Sequence, residues 1–173
     1  MSTKQKKKLQ KAIISFVIAV IAIYFGIDES SNGSADSANI EGEYQVVRVV
    51  DGDTLIITID HIEERVRLIG IDTPESVHPD RKKNVPYGDI ASDFTKSLVE
   101  GKTVELELDV QERDQYGRVL AYVYYKGTML NKALLEKGHA TVATYPPNVK
   151  YVDEFKALEE DAKSNNRGLW EYK

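Results

Sequence analysis

Two acids in "VVDGDT" (Asp51 and Asp53), two in "IDTPE" (Asp72 and Glu75) and two arginines, Arg67 in "RVRLIG" and Arg118 in "DQYGR", fall at chain reversals or strand ends. Carboxylates beside guanidinium groups suit a hard cation held by oxygen ligands and facing an anion gripped by arginines. That is the chemistry of a phosphodiester. Loop-borne carboxylates favour Ca²⁺, which tolerates irregular geometry better than Mg²⁺ does. The chain has no cysteine, which removes thiolate nucleophiles and cysteine-held metals. Its three histidines, His61, His78 and His139, stand isolated and read as turn or surface residues.

Each of these residues also has a purely structural reading. Asp51-Gly52 suits a hairpin turn because Asp-Gly accepts positive φ angles. "DTPE" suits a capped bend, with Asp or Thr accepting a backbone hydrogen bond and Pro fixing φ. Arg67 would pass for a strand-surface charge, and "DQYG" for a loop. The functional reading comes from the set, so the fold has to bring sequence-distant groups to one place.

Strand ends on one rim of a small barrel can do that. Glu43–Val50, Thr54–Asp60 and Arg65–Ile71 are short β-branched runs, and Asp51-Gly52 and Asp60-His61-Ile62-Glu63 supply the reversals between them. Thr103–Val110 alternates apolar Val104, Leu106 and Leu108 with Glu105, Glu107 and Asp109, as a half-exposed strand does. Arg118–Tyr125 is the fifth strand. Helices are expected in "PYGDIASDFTKSLVEG", over Met129–Gly138, and over Tyr151–Asn166, where residues 151, 155, 158 and 162 form an apolar face. The predicted class is mainly β with α: a closed five-stranded barrel carrying three helices.

The amino terminus is of another kind. "KQKKKLQK" precedes the uncharged run Ala12–Ile27, so residues 1–27 read as a signal peptide or an amino-terminal membrane anchor. The Ser-, Asn- and Asp-rich stretch 28–39 reads as a flexible linker, and residues 40–173 as the folded domain. Either form of the leader places the domain outside the cytoplasm, secreted or held on the outer face of the cell membrane through residues 12–27. From residue 39 on, 18 Lys and Arg stand against 25 Asp and Glu, a net charge of −7. Such a balance disfavours a broad phosphate-binding surface and requires polyanion contacts to be local.

In chain order, "VVDGDT", "RLIGIDTPE", "HP", "YGDIASDFT", "RDQYGRVLAYVY", "LNKALLEKGHA" and "RGLW" closely resemble the staphylococcal nuclease, or thermonuclease, family, from about Tyr44 to Trp170. The resemblance implies an OB-fold barrel and a monomer that cleaves DNA and RNA with Ca²⁺, leaving 3′-phosphate ends. It assigns Asp53 and Asp72 to the metal through their carboxylates and Thr73 through its carbonyl, with Asp51 in the outer shell. It gives Glu75 the attacking water, Arg67 and Arg118 the phosphate, and Tyr116 the terminal phosphate of a bound nucleotide. The alternative is an OB-fold module that binds nucleic acid without cutting it, using tyrosines as stacking platforms. Departures from the family are Gln115, where lysine is frequent, Thr144 in place of one tyrosine before Tyr145, and the acidic balance; "RKK" (Arg81–Lys83) reads equally as a local aid to polyanion binding and as a solvated loop.

Overall fold

The computed structural model describes residues 42–75 and 86–171, which belong to one compact unit, Asn39–Lys173. The apolar run 12–27, the linker 28–39, His78 and Arg81–Lys83 lie outside the described residues. Among the described residues no helix is long and apolar enough to cross a membrane.

Five strands close a barrel. β1 (Gly42–Asp51), β2 (Thr54–Ile59) and β3 (Ile62–Leu68) form an antiparallel meander. β5 (Thr103–Glu107) pairs with β1 and with β6 (Val119–Tyr125). The circle is completed by parallel pairing of β3 with β6, Val66 opposite Val119 and Leu68 opposite Ala121. The short strands β4 (Ile71–Asp72) and β8 (Thr141–Val142) pair separately, and β7 (Thr128–Met129) extends β6. With helices α1 (Pro86–Val99), α2 (Leu130–Glu136) and α3 (Val152–Ser164), this is a closed five-stranded barrel with three helices, consistent with the OB-fold.

Alternation decides which side chains fill the barrel. Val104 and Leu106 of β5 are buried while Glu105 is exposed, and Val66, Leu68, Val119 and Ala121 meet in the interior. Each fully buried Leu or Ile contributes about 1.5–3 kcal/mol. On α3 the residues spaced for one face, Phe155 and Ala162, are buried, and Tyr151 and Leu158 pack beside them. That face covers Tyr122, whose ring meets Tyr151 edge-on at 4.7 Å.

The structure moves several expected boundaries. The second reversal uses only Asp60 and His61, both at positive φ, so Ile62–Glu64 join the strand. This is the two-residue hairpin geometry. β3 ends at Leu68 instead of running to Ile71, because Gly70 turns the chain at φ +79° and a Cβ there would lie 2.7 Å from the Phe155 ring. β5 stops at Glu107, short of the expected Val110, as the backbone swings toward Asn148, whose side chain accepts from Gln111 N–H at 2.7 Å and donates to Gln111 C=O at 2.8 Å. The remaining surprise is Gly52, which does not adopt positive φ. Glycine is needed there for close approach, since a Cβ would fall 2.8 Å from Thr73 Oγ1.

Candidate active site

The β1–β2 turn, the end of β3 and the β4 bend meet at one rim of the barrel. Thr54 pairs with Arg67 in the β2–β3 register, and Leu68 N–H donates to Asp53 C=O at 2.9 Å. From the helical side Thr95 of α1 donates its hydroxyl to Gly52 C=O at 2.7 Å. The bend after β3 is tied by Asn131, fully buried, which donates to Ile69 C=O at 2.9 Å and accepts from Val123 N–H at 3.1 Å. A buried amide with partners at both ends holds two segments in fixed register. In the sequence Asn131 is one polar residue in a helical run, and nothing local marks it.

Asp53 is 1% exposed. Its Oδ2 accepts from Thr73 N–H at 2.8 Å and from the Thr73 hydroxyl at 3.0 Å, and its Oδ1 accepts from the Thr54 hydroxyl at 3.1 Å. The charge on Asp53 is met by Arg67, whose Nη1 pairs with Oδ1. Nη2 of the same guanidinium pairs with Asp72 Oδ1 at 2.6 Å and reaches Ile71 C=O at 3.3 Å. Arg67 therefore forks between two carboxylates nineteen positions apart in sequence. Asp72 itself lies half open to solvent beside Thr141, its partner across the β4–β8 pair. Asp51 closes β1, and its Oδ1 accepts from Gly52 N–H at 2.7 Å. Glu75 follows the Thr73-Pro74 bend and is exposed.

Arg118, immediately before β6, reaches the same region through the barrel closure. Arg67 is opposite Leu120 in the parallel pair, so Arg118, two residues earlier on that outer face, comes close to β3. Asp114 fixes it: Oδ2 accepts from Arg118 Nε at 2.6 Å, while Oδ1 accepts from the backbone N–H groups of Tyr116 and Arg118, both at 2.9 Å. Burial alone would raise the Asp114 carboxyl, but the hydrogen bonds from Arg118 and Tyr116 and the Arg118 charge hold it below the ordinary carboxylate range. The Arg118 guanidinium lies over the Tyr116 ring, 5.6 Å from its centre. Sequence reasoning missed Asp114, although an aspartate followed at two and four positions by tyrosine and arginine is an Asx-turn signal.

Arg67, Arg118 and Tyr116 line one cleft of about 440 Å³, together with Gln115, Tyr145 and Asn148. Tyr116 and Tyr145 are 76% and 71% exposed, and the Arg118 guanidinium lies over one face of the Tyr116 ring. The cleft lining does not include Asp53, Asp72, Thr73 or Glu75; Arg67 is the residue shared by the cleft and the paired acids. Of the expected residues, Asp53 and Asp72 are thus joined through Arg67, Arg118 shares its cleft, and Glu75 stands at the end of the described segment.

The donor set fits a hard cation. Two carboxylates converge on a single positive group, and the Asp53 carboxylate, 1% exposed, is compensated by Arg67 together with the hydrogen bonds from Thr54 and Thr73. Among the described residues no cluster of three or more His, Cys, Asp or Glu side chains is placed to hold a metal. Two carboxylates and a carbonyl would leave the remaining positions of an oxygen-ligated ion to water and phosphate.

A family model described as "Staphylococcal nuclease homologue" matches residues 65–172. The thermonucleases of Staphylococcus intermedius and Staphylococcus hyicus are each 40% identical over 167 residues, covering 95% of this chain and 99% and 98% of theirs. Endonuclease YncB of Bacillus subtilis is 42% identical over 125 residues, 71% of this chain and 59% of that protein.

Proposed function

The chain belongs to the staphylococcal nuclease family and is a nuclease, and from that premise we propose that it is an exported, Ca²⁺-dependent phosphodiesterase that hydrolyses DNA and RNA to 3′-phosphate ends. The observation that carries this reading is the Arg67 fork, with one nitrogen on each acid at the edge of the cleft that Arg118 also lines. Export is inferred from the lysine-flanked apolar run 12–27.

Attack of water on phosphorus adds negative charge to the non-bridging oxygens, so cations already aimed at them lower the barrier more than they aid ground-state binding. Arg67 and Arg118 supply two such cations in planar forks that lysine does not reproduce. The water oxygen bonds to phosphorus as Glu75 takes its proton, the P–O5′ bond breaks, and the 5′-alkoxide leaves and takes a proton from solvent. Asp53 and Asp72 by their carboxylates and Thr73 by its carbonyl would hold Ca²⁺, which when bound supplies Lewis-acid polarisation of the phosphate. Tyr116 would contact a terminal phosphate, and Asp51 would lie in the outer shell of the metal.

Asp114 holds Arg118 in place, so its replacement should cost activity without contact to substrate. Asp114→Asn keeps an oxygen for the two backbone N–H groups but removes the charge opposite Nε. We expect kcat/KM to fall about 10–10²-fold, with Asp114→Glu recovering part of it and thermal stability little altered. Equal activity in Asp114→Asn would show that Arg118 needs no partner.

The functional reading is tested by incubating the full chain with single- and double-stranded DNA and with RNA, in CaCl₂ and in EGTA. Digestion is expected only with Ca²⁺, and the products should resist polymerase extension until a phosphatase removes their 3′-phosphates. Absence of any digestion would sink the proposal. Binding of strands without cleavage would return the chain to the non-catalytic module.

A further inference from the structure

Outside the cleft, the outer face of the barrel carries a second set of cations. Arg48 of β1 and Arg65 of β3 lie opposite the same residue, Ile56 of β2, one from each side, so the order across the sheet is Arg48, Ile56, Arg65. Both arginines are exposed. Ile56 is 4% exposed, and it lies on the side of β2 opposite Leu55 and Ile57, outside the apolar cluster that fills the barrel. Flanked by two long aliphatic stems, it is the kind of apolar surface that arginine covers while its head stays in water.

Among the described residues their charges are not used in ion pairs. Among the described residues, Arg67, Arg113, Arg118 and Arg167 each pair with a carboxylate, whereas no ion pair joins Arg48 or Arg65 to any acid. In a domain of net charge −7 two adjacent unpaired arginines are against the trend. The face they occupy leads to the cleft. Val66 and Leu68 point into the barrel, so Arg65 and Arg67 share the outer side of β3, about 7 Å apart, and Arg48 lies about 10 Å from Arg65 across two strand spacings. Glu63, two residues before Arg65 on the same side, ends the row away from the rim.

We propose that Arg48 and Arg65 form a phosphate track that continues from Arg67 along the outer face of β3, β2 and β1 and holds the backbone of the polynucleotide beyond the phosphate being cleaved. The partner is a single strand longer than a dinucleotide, recognised by its charge and not by its bases. Continuity with Arg67 favours this partner over an anionic membrane surface. The proposal rests on the nuclease reading only for the identity of the polyanion. It also explains how an acidic domain engages a polyanion: positive charge is confined to one row, which keeps the contact local.

The test compares the unsubstituted full chain with the double variant Arg48→Gln/Arg65→Gln, which keeps much of the stem over Ile56 and removes both charges. Binding of a fluorescent 20-nucleotide strand and of a labelled dinucleotide is read by anisotropy in EGTA, so the result stands whether or not the chain cleaves. The double variant should bind the long strand about tenfold more weakly at low salt, with the slope of log K against log salt shallower by about 1.4, the value for two lost contacts to a single strand. Dinucleotide affinity should be unchanged. Arg48→Lys/Arg65→Lys should bind like the unsubstituted chain, since a point charge suffices for this contact. Unchanged affinity for the long strand, or equal loss for both ligands, overturns the track. A loss confined to phosphatidylserine vesicles, with strand binding intact, overturns it in favour of a lipid surface.

Discussion

Arg67→Gln is expected to lower kcat/KM by about 10²–10³-fold and to destabilise the metal-free protein by about 3 kcal/mol. The two effects have one origin. Among the described residues Arg67 is the only cation paired with Asp53, which is 1% exposed, and it also holds Asp72. Removing it leaves a buried carboxylate charged without a partner, partly compensated by the hydrogen bonds from Thr54 and Thr73. A divalent cation can replace the missing charge. Ca²⁺ should therefore raise the unfolding temperature of Arg67→Gln by more than it raises that of the unsubstituted chain, by mass action on the folded state. Arg67→Lys restores one charge but cannot fork, so it should recover stability in part and activity hardly at all. Thermal unfolding in CaCl₂ and in EGTA, alongside rate measurements, separates these outcomes. Equal Ca²⁺ shifts in both proteins would mean that the guanidinium and the cation do not share the two acids.

Glu75→Gln should act on the rate alone. Glu75 is exposed after the Thr73-Pro74 bend, so neutralising it removes no buried charge and should leave the unfolding temperature within about a degree. Loss of a positioned base lowers kcat by about 10²–10⁴-fold, with KM little changed because the arginines still hold the phosphate. A variant that kept full activity would transfer the proton-accepting role to another group or to solvent.

Several features were legible because their physics is short-ranged. The alternation of Val104, Glu105 and Leu106 defined the buried side of β5, and the spacing of Phe155 and Ala162 defined the inner face of α3. The acids of "VVDGDT" and "IDTPE" were recognisable as a set because a turn needs fewer of them. The same local logic misjudged Gly52, which was read through its conformational freedom. Its true constraint is the Thr73 side chain, twenty-one residues away. Strand limits erred for a related reason: β3 ends where Gly70 must clear Phe155 of α3, a contact between segments 85 residues apart.

The sequence by itself determined which groups are available for chemistry: carboxylates, forked cations, no thiol, and a net acidic domain. It also determined the elements, since periods of 2 and 3.6 and turn residues are written along the chain. Tertiary structure alone decided which groups meet. Parallel closure of β3 on β6 brings Arg67 and Arg118 to one cleft, and the rim places Asp53 and Asp72 on the two nitrogens of one guanidinium. It likewise set Arg48 and Arg65 astride Ile56. Barrel closure is a property of the whole sheet, fixed by stagger and tilt summed over five strands, so no stretch of residues records it locally.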